Sequence, residues 1–317
     1  MDVQETLVAK TAQEVLGQVR KVVVGKDKTL LWVLATVLAG GHILLEDLPG
    51  MGKTTMALAF SKVLGLQCNR MQFTPDVLPS DVTGYSVLQQ STGQMVYRPG
   101  SVLCNLFLAD ELNRATSRTQ SALLEAMEEG QVTVDGISHP IPQPFIVIAT
   151  QNPTGAAGTQ KLPDSQLDRF MVRLSLGYPG IRDEIAMVQS RQKADPMAQL
   201  QPLLDAQGLI RLRQLVEDTY IKTDVIKYIV ELIAATRNNS DILQGASPRA
   251  TLSVAAMAKA IARLQGRDYV IPEDVSSVFV GTVAHRIFLT PAALAQGATP
   301  ESILEKLLTQ VKAPRLS

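Results

Sequence analysis

A short apolar run, a glycine-rich loop and a helical run follow one another in the stretch HILLEDLPGMGKTTMALAF, residues 42–60. The run 42–46 predicts a buried strand, and residues 55–64 predict a helix. Between them, a glycine-rich turn can wrap closely around a chain of phosphates while the following helix directs its free N–H groups at them. The stretch therefore predicts a phosphate-binding loop, with a chance Gly-Lys-Thr as the alternative.

The residues of this loop have distinct predicted roles. Lys53 would reach the β- and γ-phosphates of a nucleotide, and Thr54 would hold Mg²⁺. The predicted contact residues are Pro49, Gly50, Met51, Gly52, Lys53, Thr54 and Thr55. The full motif begins with Gly, whereas Asp47 stands at that position here.

Strands and helices alternate on both sides of the loop. Helical periodicity predicts helices over 3–19 and 27–39, and short apolar runs predict further strands at 67–73, 104–109, 145–150 and 171–176. Such alternation is typical of an α/β protein with a parallel sheet covered on both faces. From Ile181 onward the pattern is helical with no convincing strand. We therefore predict two domains, a sheet-containing core over 1–180 and a smaller all-α domain over 181–317.

The composition argues against several classes of protein. The 317 residues include 30 Lys and Arg against 30 Asp and Glu, and only 4% are aromatic. A balanced charge lacks the positive field of most nucleic-acid-binding proteins, so no nucleic-acid partner is predicted. Cys68 and Cys104 cannot form a disulfide framework, and no zinc-site spacing is present. The first residues lack a signal-peptide pattern and residues 30–45 are too short to span a bilayer, which predicts a cytoplasmic protein without membrane insertion.

Carboxylates and an amide follow two of the predicted strands. Asp110 and Glu111 end the apolar run 104–109, where Asp110 would support Mg²⁺ and Glu111 would orient or deprotonate an attacking water. Asn152 follows the run 145–150, at the edge of a parallel sheet where ligands bind. The alternatives are a strand that simply ends in polar residues and an ordinary Asn-Pro turn.

Two arginines, Arg169 and Arg249, lie beside the ends of predicted helices. Arg169 follows a short predicted helix that leads into the last strand. Arg249 follows Ser247 and Pro248, which have the sequence of a helix N-cap and first helical position. The alternative for each is a solvated or salt-bridged surface arginine.

Together, these motifs resemble an AAA+ ATPase, most closely the MoxR branch. The narrower match is carried by the segments 41–50, 109–115, 149–153 and 245–250. The resemblance implies that Lys53 and Thr54 belong to Walker A and that Asp110 and Glu111 belong to Walker B. It also implies four catalytic residues. They are Glu111, Asn152 as sensor 1, Arg169 as an arginine finger that acts on the next subunit, and Arg249 as sensor 2 on the lid.

The resemblance also implies further contacts. Val23, Val24 and Gly25 match the segment that lies against adenine, and Val24 and Gly25 are taken as nucleotide contacts. Arg114 is left open, since it could face a neighbouring subunit or a pore. Two hairpins, over 85–97 and from 131 around Asp135-Gly136, would line the pore or face clients, unless they are ordinary surface decoration.

The function implied by the resemblance is ATP hydrolysis coupled to chaperone-like remodelling, maturation or cofactor insertion in partner protein complexes. Mg²⁺-ATP would sit between the core and the lid of a ring, most simply a hexamer, and a von Willebrand factor A domain protein is an implied partner. The alternatives are a magnesium-chelatase-type motor subunit, a nucleic-acid-dependent ATPase, and a scaffold that binds ATP without turning it over.

Overall fold

The computed structural model describes residues 3–48, 50–152, 162–193 and 195–315. Its strands are β1 (Ile43–Glu46), β2 (Cys68–Gln72), β3 (Gly84–Gln89), β4 (Gln94–Pro99), β5 (Leu106–Asp110), β6 (Gln131–Val134), β7 (Ile137–Pro140), β8 (Ile146–Gln151), β9 (Val172–Leu174), β10 (Ile242–Gln244) and β11 (Phe288–Leu289).

The helices lie before, between and after these strands. They are α1 (Val3–Val19), α2 (Asp27–Leu38), α3 (Lys53–Val63), α4 (Pro79–Thr83), α5 (Ser117–Glu129), α6 (Asp164–Leu167), α7 (Ile181–Lys193), α8 (Ala206–Glu217), α9 (Thr223–Arg237), α10 (Pro248–Leu264), α11 (Pro272–Val283), α12 (Pro291–Ala295) and α13 (Pro300–Gln310). Two 3₁₀ turns cover Leu112–Arg114 and Ala284–Arg286.

Five strands form a central sheet in the order β2-β5-β8-β1-β9. Every neighbouring pair is parallel, with Ile43 opposite Ile148 and Leu106 opposite Ile146 in the register. Strands β5 and β8 are buried along their whole length, as expected for a parallel sheet with both faces covered. The predicted α/β fold class with a parallel sheet is confirmed.

Successive strand residues supply two separate apolar cores, one on each face of the sheet. Ile43 and Leu45 belong to the first core, whereas Leu44 between them belongs to the second. The first core takes in α1, α2 and α3 and continues into the helices after residue 181, and the second contains α5. The last strand of the sheet, β9, ends at Leu174 and α7 begins at Ile181, while the apolar packing of the first core continues into the later helices.

The two predicted hairpins are present, β3 with β4 and β6 with β7. The turn of the second hairpin has Asp135 and Gly136 at positive φ, as a tight Asp-Gly turn requires. The hairpins touch each other through the rings of Tyr97 and His139, which stack with their centroids 3.6 Å apart.

The region after residue 181 differs from the sequence prediction in one respect. It is helical as predicted, but β10 and β11 add a short antiparallel pair. These strands of three and two residues are too short for a periodic pattern to reveal. Within the described ranges, no helix is both long and apolar enough to cross a membrane.

Candidate active site

The phosphate loop adopts the conformation that its glycines allow. Gly50 and Gly52 have φ of 83° and 85°, in the left-handed region that residues with a side chain rarely adopt. Helix α3 begins directly after Gly52 with no side-chain cap, so the amide groups of its first turn remain free to bind an anion. Pro49, a predicted contact residue, lies outside the described residues.

Lys53 points back into the loop. Its side chain is 6% exposed, and its Nζ donates to the main-chain carbonyl of Asp47 at 2.6 Å. Burial lowers the pKa of Lys53, and nearby carboxylates, first among them Asp47, oppose that shift. A phosphate group would offer this ammonium the charged partner that a carbonyl lacks.

The Asp110 carboxylate is held by three side chains. Its Oδ1 accepts from Thr150 Oγ1 at 2.7 Å, and its Oδ2 accepts from Arg70 at 2.8 Å and from Thr54 Oγ1 at 3.3 Å. Burial by itself raises the pKa of Asp110, but the hydrogen bonds from Thr150 and Arg70 outweigh it and lower the pKa. Asp110 therefore stays ionised beside Thr54. A carboxylate and a hydroxyl in this arrangement are the donors expected to hold Mg²⁺ with a nucleotide.

Glu111 occupies a sharp turn at the end of β5. Its φ is 55°, an unusual value for a residue with a side chain, and its N–H donates to Thr150 Oγ1 at 2.8 Å. Its carboxylate accepts from Asn152 Nδ2 at 3.3 Å and from Arg114 at 3.0 Å. The turn thus directs the carboxylate toward Asn152.

Asn152 is fixed by its neighbour across the sheet edge. Asn113 Nδ2 donates to the Asn152 carbonyl at 3.1 Å, and the Asn152 N–H donates to Asn113 Oδ1 at 3.4 Å. Among the described residues, Asn152 Oδ1 has no hydrogen-bond partner although it is buried. A free acceptor beside Glu111 fits a bound water.

A cavity of about 570 Å³ opens beside the phosphate loop. One side is formed by Gly50, Met51, Gly52 and Thr55, and another by Val22, Val23, Val24 and Lys26. The remaining wall comes from Tyr178, Pro179 and the α7 residues Glu184, Met187 and Val188. Gly25 lies so close to Asp183 of α7 that an added Cβ would overlap its carboxylate. The cavity therefore lies where the predicted adenine segment, the loop and the first helix after the sheet meet.

The two predicted arginines lie together, apart from this cavity. Arg169 contacts Glu128 at 3.1 Å, and Arg249 contacts the other oxygen of the same carboxylate at 2.7 Å. Arg249 also lies 3.8 Å from Asp168. Neither arginine is among the residues that line the cavity. The structure thus unites the finger and sensor 2 candidates on one carboxylate and does not bring Arg249 to the loop of its own chain.

Asp168, which contacts Arg249, also contacts residues of the C-terminal region. Its carboxylate accepts from Ser247 Oγ at 2.9 and 3.1 Å and contacts the buried Arg286 at 3.5 Å. Ser247 stands at the predicted N-cap of α10, but its hydroxyl bonds to Asp168 and makes no capping bond. Arg286 also donates to the Phe170 carbonyl at 2.7 Å.

Sequence reasoning missed several members of the site. Arg70 lies in β2 and reaches Asp110 only because β2 pairs with β5 in a register that places Gln72 opposite Asp110. Thr150 ends a predicted strand, and its position at the sheet edge was a signal that could have identified it. Arg114, which was left open, contacts Glu111 of its own chain.

Two family models match the sequence. The model described as the ATPase family associated with various cellular activities (AAA) matches residues 42–172, and the model of the AAA lid domain matches residues 234–307. The first range contains the phosphate loop and the sheet strands β1, β2, β5 and β8, and the second contains Arg249.

Similar proteins span nearly the whole chain. The uncharacterized protein YeaC of Bacillus subtilis is 43% identical over 296 residues, covering 93% of this chain and 92% of that protein. The chaperone MoxR1 of Mycobacterium tuberculosis is 36% identical over 316 residues, covering 97% and 83%. A crystal structure of a candidate ATPase from Cytophaga hutchinsonii superposes with a TM-score of 0.91 at 37% identity, covering 98% and 97%.

Proposed function

The chain belongs to the MoxR family of AAA+ ATPases, and from that premise we propose that it hydrolyses Mg²⁺-ATP to drive the remodelling or maturation of partner protein complexes. Nucleotide binding and ATPase activity are properties of the family. The reaction, the residue roles and the client chemistry given below are proposals for this chain.

One observation carries the proposal: the hydrogen-bond chain from Thr54 through Asp110 and Thr150 to Glu111 and Asn152. Each contact lies between 2.7 and 3.3 Å. It joins the end of the phosphate loop to the ends of β5 and β8, so that the binding and hydrolysis residues form one connected unit. Phosphoryl transfer is accelerated mainly by positioning and by neutralising charge, which is what such a unit supplies.

Each group has a proposed task in hydrolysis. Lys53 and the first amides of α3 would bind the phosphate chain of ATP, and Glu111 would accept a proton from the attacking water while Asn152 orients it. Thr54 and Asp110 would hold Mg²⁺, which when bound neutralises charge on the phosphate oxygens.

The arginine pair favours a site completed by a neighbouring subunit. Arg169 and Arg249 share Glu128 and do not line the cavity, so we propose that they act on the nucleotide of the next protomer in a ring, most simply a hexamer. An arginine supplied in this way accelerates phosphoryl transfer roughly 10³- to 10⁵-fold in known enzymes.

The remodelling role rests on family membership and on the hairpins. The MoxR relative from Mycobacterium tuberculosis is named a chaperone, and hairpin β3–β4 exposes Tyr85, Leu88 and Met95 to more than half of their surface. We propose that the hairpins contact clients, that residues 1–180 act as the ATPase core and residues 181–317 as its lid, and that a von Willebrand factor A domain protein is a partner.

Three variants test the ATPase proposal. Lys53→Ala should lose ATP affinity, whereas Lys62→Ala, at the far end of the same helix, should keep it. Glu111→Gln should bind ATP but release phosphate at under a hundredth of the wild-type rate, whereas Glu125→Gln on α5 should turn over normally. Normal ATP binding by Lys53→Ala, or normal turnover by Glu111→Gln, would refute the assigned roles.

The ring proposal needs a mixing experiment. Arg169→Ala should bind ATP and hydrolyse it poorly, and adding the Lys53→Ala variant should restore turnover, since one chain then supplies the loop and the other the arginine. No recovery in the mixture would contradict action between subunits. A partner-dependent metal-insertion assay separates this reading from a magnesium-chelatase-type motor.

A further inference from the structure

Residues 175–178, called here the link, run from β9 toward α7 and are held by Asp47 from one side. The Asp47 carboxylate accepts from Ser175 Oγ at 2.6 Å, from the Leu176 N–H at 2.7 Å and from the Gly177 N–H at 3.0 Å. Asp47 is 6% exposed. A buried carboxylate with three short hydrogen bonds fixes both its own position and that of the link.

The link is held from the opposite side by the segment that lines the cavity before α2. Lys26 Nζ donates to the carbonyls of Gly177 and Tyr178 at 2.9 and 2.8 Å. Thr29 Oγ1 donates to the carbonyl of Ser175 at 3.3 Å. Two backbone N–H groups of the link thus bond to Asp47, and three of its carbonyls bond to Lys26 and Thr29.

The contacts of Asp47, Lys26 and Thr29 with the link, together called the clamp, hold a segment that lines the cavity. Tyr178 of the link and Pro179 directly after it line the cavity, as do Val22, Val23 and Val24. Asp47 begins the phosphate loop, and its carbonyl receives the Lys53 ammonium at 2.6 Å. Asp47 therefore bonds through its main chain to Lys53 and through its side chain to the link.

We propose that Asp47 is a positioning residue that sets the base-binding wall of the cavity and thereby the preference for ATP over a bare triphosphate chain. The proposal rests on the proposed function, because it assigns the cavity to a nucleotide. It also accounts for an aspartate where the general loop motif has glycine: a glycine would hold phosphates equally well but would leave the link amides without their acceptor.

The decisive variant is therefore Asp47→Gly, which restores the general loop motif and removes the acceptor of the link amides. It also removes a carboxylate charge that acts on Lys53, but that charge affects the binding of any phosphate chain and therefore cancels in a ratio of two affinities. Calorimetric titrations with ATP and with inorganic tripolyphosphate, both with Mg²⁺, measure the two parts of the site separately. Asp47→Gly should lower the ratio of ATP affinity to tripolyphosphate affinity at least tenfold relative to wild type. Ser175→Ala, which removes one of three donors, should shift the same ratio by a few fold.

The opposite side of the clamp gives a second test. Lys26→Met should lower the ratio of ATP to tripolyphosphate affinity in the same direction. Because both residues act on one segment, Asp47→Gly combined with Lys26→Met should lose less than the product of the two single effects. A loss in the double variant equal to the product of the two single losses would show that Asp47 and Lys26 act independently and would overturn the proposal that they hold the same segment.

Asp205→Ala is the matched control. Asp205 Oδ1 accepts from the Gly208 N–H at 2.6 Å at the start of α8, so its loss also removes a short bond from an amide to an aspartate, but away from the cavity. It should leave the affinity ratio unchanged. If wild type binds neither ligand, the proposed function fails. If wild type binds both and Asp47→Gly keeps the wild-type ratio, only the inference about Asp47 fails. Ser175→Ala and Lys26→Met decide the question if Asp47→Gly does not fold.

Discussion

Replacement of His42 by Asn tests how the core beneath the phosphate loop depends on pH. His42 precedes β1, where its Nδ1 accepts from the Val147 N–H at 3.0 Å and its Nε2 lies 3.3 Å from the Met127 carbonyl. Burial, together with the charge of Arg213, lowers the pKa of His42 to about 4. An Asn side chain can still accept from Val147 but cannot titrate.

The magnitude follows from proton linkage. The unfolded chain protonates His42 near pH 6.5, whereas the folded chain does so only near pH 4. The stabilising contribution is therefore fully present above pH 6.5 and is lost as the pH falls toward 4, because the unfolded state then binds an extra proton. Between pH 7.5 and pH 5 this loss amounts to about 2 kcal/mol.

The assay is urea unfolding followed by the fluorescence of the single tryptophan, Trp32. His285 also titrates, since burial lowers its pKa to about 3, so the comparison between wild type and variant isolates His42. The stability advantage of wild type over His42→Asn should shrink by about 2 kcal/mol from pH 7.5 to pH 5.

A packing control accompanies this measurement. The His42 ring contacts Phe145 of the second core, whereas Phe60 of α3 is fully buried in the first core. Phe60→Leu therefore removes packing without removing a titrating group or the side chain that covers His42. It should lower stability equally at both pH values. An advantage of wild type over His42→Asn that stays constant between the two pH values would refute the assignment of the pH dependence to His42.

Three further changes test other contacts. Arg70→Gln removes a half-exposed ion pair from Asp110, and such pairs contribute up to about 1 kcal/mol. The variant should therefore bind Mg²⁺ two- to fivefold more tightly in titrations with a non-hydrolysable ATP analogue. Weaker Mg²⁺ binding would mean that Arg70 assists the metal. Arg114→Ala removes one of the two side-chain donors to Glu111 and should lower kcat about tenfold with ATP affinity unchanged, which steady-state kinetics and calorimetry would separate. Gly65 has φ +61°, and Gly65→Ala places a Cβ 2.1 Å from the Leu204 carbonyl, so this variant should destabilise the folded state by more than about 1 kcal/mol. In Gly17→Ala the added Cβ meets no atom within 4 Å, so stability should not fall. Equal melting temperatures for the two variants would contradict this reasoning.

Most of the fold could be predicted because its elements follow from local pattern. The predicted helix over 3–19 matches α1, and each predicted strand of the central sheet was found within two residues at either end. The edge location of Asp110, Glu111 and Asn152 also followed, because parallel strands end together at one edge. The β10–β11 pair was missed because strands of three and two residues carry no readable period.

The partners of the charged side chains could not be predicted in this way. Arg249 contacts Glu128, 121 positions away, and Asp47 bonds to Leu176, 129 positions away. Nothing near either residue in the sequence specifies these contacts. They depend on the tertiary arrangement that brings Glu128 of α5 near the first turn of α10 and on the pairing of β1 with β9, which brings the link beside the loop.

The sequence by itself determined the phosphate loop, the order of strands and helices and the polar residues at the strand ends, because backbone preferences and hydrophobic period act between near neighbours. Tertiary structure alone decided that Arg169 and Arg249 share one carboxylate and that Asp47 clamps the link. A charged side chain takes the partner that the packed elements bring within about 3 Å, and only the folded chain fixes which one that is.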